Sequence, residues 1–278
     1  MDLRNSVALV TGASRGIGPH IARALAREGA SVALAARSLP GLEAVAADLR
    51  SSGARVAVLE ADVGRPEVCA SLVARAEQAL GPVDVLVNNA GVETEGAFLS
   101  LDPEAIIGTV AINLTGAILL ARQALPGMLA RRRGHVVNVA SLGGKKGAPF
   151  EAVYCASKAG LIEWTSALRS ELKGTGVSFS AICPGYVTGE GMFAKFGVSA
   201  PRTIGSCTPE QVAAAVVGAI LRDLPEVIVN SMPVRPLLAL NALSPRLGLW
   251  LLDLMGITAF QRRKVGGTTA ARTGVRTP

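Results

Sequence analysis

The feature that most constrains this chain is an alternation that runs from residue 6 to residue 229. Short apolar runs rich in β-branched residues take turns with longer segments of helical periodicity. Residues 6–11 are the first run, followed by a helical stretch with Ile21, Leu25 and Ala26 on one side and Gly29 as its stop. Residues 31–35 and 55–60 read as the next two strands, with a helix over 39–50 between them. A helix over Pro66–Leu80 leads to a fourth strand at 83–87, and 135–140, 177–182 and 227–229 complete the set among further helices. Apolar strands separated by helices belong in a parallel sheet covered on both faces. Right-handed crossovers make that sheet doubly wound and put a ligand crevice at the carboxyl ends of its strands.

Composition agrees and removes several classes of function. Half of the 278 residues are hydrophobic and 18% are charged, so a large core can form and a disordered chain is excluded. The four cysteines lie far apart without a C-x-x-C pair and there are two histidines, which leaves neither a disulfide framework nor a Cys/His zinc site. Residues 1–5 lack the basic and apolar regions of a signal peptide, so a cytoplasmic protein is expected. The net charge of +7 is localised: the first 230 residues carry 21 bases and 20 acids, the last 48 seven bases and one acid. With aromatics at 4%, little is available for stacking bases, and no nucleic-acid partner is expected.

The first chemical signal is the turn after the first strand, Thr11-Gly12-Ala13-Ser14-Arg15-Gly16-Ile17-Gly18. Glycines between a strand and a helix leave backbone N–H groups unobstructed and aim a helix N-terminus at a phosphate. Pro19 falls in the first turn of that helix, where a missing N–H costs little. The second signal is a dispersed set: Asn88-Asn89-Ala90-Gly91 after the fourth strand, Asn113 in a long helix, Ser141 after the fifth strand, and Tyr154 and Lys158 on the next helix. Four residues apart, Tyr154 and Lys158 share a helical face, and a lysine cation there would favour the tyrosinate. Such a tyrosine can give a proton to a carbonyl oxygen or take one from a hydroxyl.

Over residues 5–230 the chain resembles the short-chain dehydrogenase/reductase family, on the glycine turn, Asp62-Val63, Asn88–Gly91, Asn113, Ser141, Tyr154/Lys158, and Pro184-Gly185 followed by Thr188. The resemblance implies an α/β Rossmann fold, a doubly wound parallel sheet of seven strands with helices on both faces. It implies direct hydride transfer between a nicotinamide and a carbonyl carbon, with Tyr154 as general acid/base and Lys158 lowering its pKa and binding the nicotinamide ribose. Ser141 would hold the substrate oxygen and Asn113 a water of the proton relay; no metal is needed. The implied cofactor contacts are Gly12, Ser14, Arg15, Gly16, Ile17, Gly18, Arg37, Asp62, Val63, Asn89, Ala90, Gly91, Tyr154, Lys158, Pro184, Gly185, Val187 and Thr188. Asp62 and Val63 would lie by the adenine, Asn89 and Gly91 near its ribose, and Thr188 by the nicotinamide amide. At the end of the second strand, Ala36 stands where an acid would bind the NAD ribose, with Arg37 next to it and Arg15 in the glycine turn. Two arginines and no acid favour a 2′-phosphate, hence NADP(H) over NAD(H). A homodimer or homotetramer acting on a small carbonyl or alcohol is implied. A 3-oxoacyl-carrier-protein-type reductase and a non-catalytic NADP-sensing protein are the alternatives to a reductase of hydrophobic carbonyls.

The division expected is a Rossmann domain over 1–230, an apolar helical extension over 231–265 and an unordered tail over 266–278. Met192, Phe193, Phe196 and Val198, in the segment 186–205, are candidates for an apolar pocket. Arg131–Arg133 reads as a solvated helix end or a dock for an acidic carrier protein, and Lys145 and Lys146 as solvated or as attracting an anionic substrate. In the extension, Leu247, Trp250, Leu251 and Leu254 share one helical face, widened by Leu249, Leu252 and Met255. Either this face packs against protein, completing the substrate pocket or a subunit interface, or it lies on an anionic membrane with Arg262, Arg263 and Lys264 beside it.

Overall fold

The computed structural model describes residues 1–193 and 203–273, and for 266–273 the backbone alone. Strands β1 (Val7–Thr11), β2 (Ser31–Ala36), β3 (Val56–Glu60), β4 (Val85–Asn88), β5 (Gly134–Val139) and β6 (Val177–Pro184) join one sheet with β9 (Glu226–Val229). The sheet order is β3-β2-β1-β4-β5-β6-β9, and every pairing is parallel. The two-residue strands β7 (Tyr186–Val187) and β8 (Ser206–Cys207) form a separate pair. The order reverses between β1 and β4, which opens a crevice at their carboxyl ends.

The helices take the two faces. On one, α1 (Ile17–Arg27), α2 (Leu39–Ser51) and α8 (Pro209–Arg222) bury Ile21, Leu25, Leu42 and Val216 against Val10, Leu34 and Val87. On the other, α3 (Pro66–Leu80), α5 (Gly116–Ala130) and α7 (Ala152–Glu171) close over Leu9, Leu86 and Val136, with Leu72, Leu120 and Phe179 fully buried. Both faces are apolar because every strand is covered twice, which is why the strands read as continuous apolar runs. Helix α4 (Pro103–Val110) runs into α5 through a π-helical turn at Ala111–Thr115 that carries Asn113. Such bulges are frequent at functional sites. The stretch Pro103–Ala130 is long and apolar enough to cross a membrane, but its Leu120, Ala121, Ala124 and Met128 belong to the core.

After β9 the chain forms three helices, α9 (Arg235–Leu243), α10 (Pro245–Leu254) and α11 (Ile257–Thr273); a short α6 (Leu142–Lys145) follows β5. Helix α11 continues past Gly266 to Thr273, into the stretch expected to be unordered, and residues 274–278 lie outside the described residues. The apolar side expected for α10 is divided between solvent and protein. Leu247, Trp250 and Leu254 are 46%, 59% and 67% exposed, whereas Gly248 and Leu252 turn inward. Gly248 decides this rotation: a Cβ there would stand 2.1 Å from the Asn241 side-chain oxygen, so the small residue is where α10 meets α9.

Candidate active site

A cavity of about 960 Å³ opens over the carboxyl ends of the central strands, within the range of small-molecule sites. One end is backbone. Gly12 and Gly16 take φ of 65° and 62°, and Gly16 caps α1 without any side-chain hydrogen bond, leaving the helix N-terminus open. A Cβ on Gly12 would reach 2.8 Å from Ala90 Cα, and one on Gly18 would reach 2.2 Å from the Gly12 carbonyl oxygen. The glycines are therefore required by close approach as well as by φ. Thr11 Oγ1 accepts from the N–H groups of Asn89 and Ala90, and Asn89 Nδ2 donates to the Thr11 and Gly12 carbonyls at 2.9 and 3.2 Å. This lattice fixes the glycine turn to the loop after β4. Arg15 and Arg37 line the same end, are exposed, and make no ion pair among the described residues. Ser14, Ile17, Asp62, Val63, Ala90, Gly91, Pro184, Gly185 and Val187 also line the cavity. Bare N–H groups, two unpaired guanidinium groups and close-packed glycines fit a dinucleotide with an anionic terminus.

The floor of the cavity holds Ser141, Tyr154 and Lys158. Ser141 caps α6, its Oγ accepting from Gly143 N at 3.0 Å, which places the hydroxyl at the mouth of β5. Lys158 is 3% exposed, donates from Nζ to the Val139 carbonyl at 2.7 Å and stands 5.9 Å from the Tyr154 ring centroid. Burial lowers its pKa to about 8. The four-residue spacing predicts that this lysine lowers the tyrosine. In this arrangement burial, then Glu93, and further Glu151 push Tyr154 up, and only a hydrogen bond with Ser141 opposes them. Asn113, Gly18 and Thr188 stand behind the cavity surface. Asn113 clamps the neighbouring elements, donating to Val92 O at 2.9 Å and Ser157 Oγ at 3.0 Å and accepting from Val92 N at 2.8 Å. Thr188 is tied to the Cys207 carbonyl. Cys155 and Cys183 are buried, and burial pushes their thiols up to about 11 and about 12, as suits packing residues.

The far end is apolar and comes from late in the chain: Tyr186, Met192, Phe193, Leu237, Leu238, Leu252, Met255 and Ile257. Phe196 and Val198 lie outside the described residues. Tyr186 packs on Phe193 and Phe260, with centroids 4.7 and 5.5 Å apart. Beside this wall is a group that sequence reasoning missed: Glu93 and Glu151, which line the cavity, and Glu95 converge on Lys264 Nζ. The available signal was acidic residues beside both catalytic motifs, two just after Gly91 and one three positions before Tyr154. Lys264 therefore departs from its expected place in an exposed basic cluster; its side chain is 1% exposed, while Arg262 and Arg263 remain outside. The other basic candidates also find partners or places. Arg131–Arg133 sits at the amino end of β5, opposite the cavity, bonding Val83 O, Gly174 O and Asp84. Lys145 pairs with Glu226 at 2.9 Å, and Lys146 lines the cavity.

Known proteins share this fold. The chain belongs to the short chain dehydrogenase family, whose family model matches residues 6–197. It is 45% identical over 248 residues to the ketoacyl reductase HetN of Nostoc sp. (strain PCC 7120), covering 87% of this chain and 86% of that one. A variant of actinorhodin polyketide ketoreductase with NADPH superposes with a TM-score of 0.75 at 36% identity, over 82% of this chain and 96% of that chain. A metagenomic short-chain oxidoreductase in complex with NADP gives 0.71 at 33% identity, over 84% and 100%. The chain is thus an oxidoreductase that interconverts a carbonyl and an alcohol with a nicotinamide cofactor.

Proposed function

We propose that the protein is an NADPH-dependent reductase of a hydrophobic ketone. The observation that carries this reading is one cavity with three parts: a cationic glycine-lined end, a floor of Ser141, Tyr154 and Lys158, and an aromatic and aliphatic wall. Arg15 and Arg37, with Ala36 in place of an acid, support a preference for NADP(H) over NAD(H) through charge-assisted hydrogen bonds to a 2′-phosphate. When bound, the cofactor supplies the hydride. The chain's own residues do the rest. Tyr154 gives its phenolic proton to the carbonyl oxygen, Ser141 donates a hydrogen bond to that oxygen, and Lys158 binds the cofactor ribose and steadies the tyrosine. Asn113 holds Val92 and Ser157 so that the loop after β4 and helix α7 keep their spacing. No metal takes part in this scheme.

The relatives favour a second reading within the same chemistry, in which the ketone is a 3-oxoacyl thioester; HetN, similar over most of the chain, is a ketoacyl reductase. Purified protein given NADPH with 3-oxoacyl thioesters in parallel with cyclic and long-chain ketones tests both. NADPH oxidation with the ketones supports the first reading, with thioesters alone the second, and with neither class overturns both.

Residues 1–230 on this reading are the cofactor and catalytic domain, and 231–265 an extension that walls the site. Four unpaired, buried cysteines suit a reducing cytoplasm. The protein works as a homodimer or homotetramer, and the exposed side of α10, with Leu247, Leu249, Trp250 and Leu254, supports a second copy as its cover. Light scattering tests this. A monomer that co-sediments with anionic vesicles at low salt would instead make that side, bordered by Arg262 and Arg263, a peripheral membrane contact.

A further inference from the structure

Three carboxylates whose oxygens converge are one way to hold a cation. Here the cation among them is the ammonium of Lys264, bound to Glu93 at 2.6 Å, to Glu95 at 3.2 Å and, closer still, to Glu151. One helical turn earlier on α11, Gln261 donates to Glu151 at 2.9 Å and to the Tyr186 hydroxyl at 3.0 Å. Phe260, next to it in sequence, packs on Tyr186, and Ile257 reaches the cavity. All four side chains are buried, so this face of α11 lies against the body of the protein. Its partners belong to the two loops that frame the reaction: Glu93 and Glu95 follow Gly91, and Glu151 precedes Tyr154 by three residues.

We propose that Lys264 is a positioning residue for the reduction, stapling the C-terminal helices to the loops at Glu93 and Glu151 so that they hold the apolar wall of the Tyr154 cavity. The inference rests on the reading that this cavity takes the substrate. Keeping and losing this cation have unequal consequences. An ammonium shared by three carboxylates, Glu151 buried and Glu93 and Glu95 partly so, is held in place, whereas removing it leaves those carboxylates crowded together without a counter-charge. Their mutual repulsion is relieved as α11 moves away, and α9 and α10, whose buried residues are Gly248 and Leu252 alone, have little packing of their own to oppose it.

The test compares Lys264→Met and Glu151→Gln with the wild type, in full-length protein. Hydrogen exchange over 235–260 and NADPH binding are read without turnover; kcat and KM are then read with the best ketone or thioester. Lys264→Met is expected to speed exchange over 235–260, to raise KM about tenfold, and to leave kcat and NADPH affinity within about threefold. Glu151→Gln removes the shortest of the lysine's ion pairs and keeps those to Glu93 and Glu95, so it should speed exchange over 235–260 and raise KM in the same direction as Lys264→Met but by less, with kcat and NADPH affinity within about threefold. Unchanged exchange in Lys264→Met overturns the staple. Faster exchange with unchanged KM overturns its role in the substrate wall, and a parallel loss of NADPH affinity makes the lysine a general stabiliser instead. Should Lys264→Met fail to fold, the double variant Glu93→Gln/Glu95→Gln, which strips the lysine of two partners, is measured in the same way and the same outcomes decide. A wild type that oxidises no NADPH with any ketone or thioester sinks the functional reading, and exchange alone then decides the staple.

Discussion

Lys158, which lines the cavity, and Lys264, which binds the cavity-lining Glu93 and Glu151, are buried to the same degree, 3% and 2% exposed, and their surroundings drive their pKa values apart. Around Lys158 there is a carbonyl and a tyrosine ring and, among the described residues, no carboxylate partner, so burial lowers its pKa to about 8. Around Lys264 burial works the same way, but Glu93 and Glu151 outweigh it, and its pKa rises above the ordinary lysine value. The difference separates a cation kept for something that arrives from a cation already spent on the protein itself. Lys158 has donor capacity left over after Val139, which suits a group that meets cofactor hydroxyls. Lys264 has none to spare.

Breaking the chemistry on the Lys158 side should give the largest effect. Tyr154→Phe removes one hydroxyl from a ring that stays packed, so turnover should drop by about 10²–10⁴-fold while NADPH affinity stays within about threefold. Steady-state kinetics with a parallel NADPH titration checks both halves. Turnover within a few-fold of wild type would remove Tyr154 from its role as proton donor.

A smaller effect is expected at the cationic end. Ala36→Asp combined with Arg37→Ala adds a charge that repels a 2′-phosphate and deletes one that binds it. NADPH affinity should fall by about 10–100-fold and NADH affinity change by less than about threefold. Equal kcat/KM of the wild-type protein with the two cofactors would show that the arginines do not read the phosphate.

The same contrast explains how far the sequence could be read. The seven strands and the glycine turn follow from local signals: β-branched runs, helical periodicity, and glycines set between a strand and a helix. Strand ends shift by a residue or two, as at β4, which begins at Val85 where the apolar run starts at 83. Lys158 and Tyr154 are close in sequence, so their shared face is legible. Lys264 meets Glu93 and Glu151 across 171 and 113 residues, and no periodicity reports a contact made at that distance. Charge pattern alone places it with Arg262 and Arg263 on a surface. The packed face of α10 escapes the sequence for a related reason. Counting leucines finds the most apolar side, but a glycine, by permitting close approach at Asn241, selects the side that packs.

The smallest expected effect is on stability against pH, and it opposes the surroundings of the two lysines directly. Burial raises the Glu151 carboxyl from its ordinary 4.5 to about 7, with Lys264 pulling the other way. Between those pH values the folded protein holds more protons than the unfolded chain, so this group's contribution is present in full below about pH 4.5 and is lost as pH rises through 7. Lys158, lowered to about 8 from 10.5, does the opposite: the unfolded chain holds the extra proton, so stability from this group grows as pH rises from 8 to 10.5. Each trend should amount to about 1–3 kcal/mol after allowance for coupling and relaxation. Denaturant unfolding across pH 4 to 10.5 should therefore show Glu151→Gln flattening the acidic-side decline and Lys158→Met flattening the alkaline-side gain. If Glu151→Gln leaves the acidic-side slope as it is in wild type, the carboxylate is fully ionised beside Lys264 down to its ordinary range. The staple would then be a salt bridge at every pH where the protein is folded, and the contrast between the two surroundings would rest on Lys158 alone.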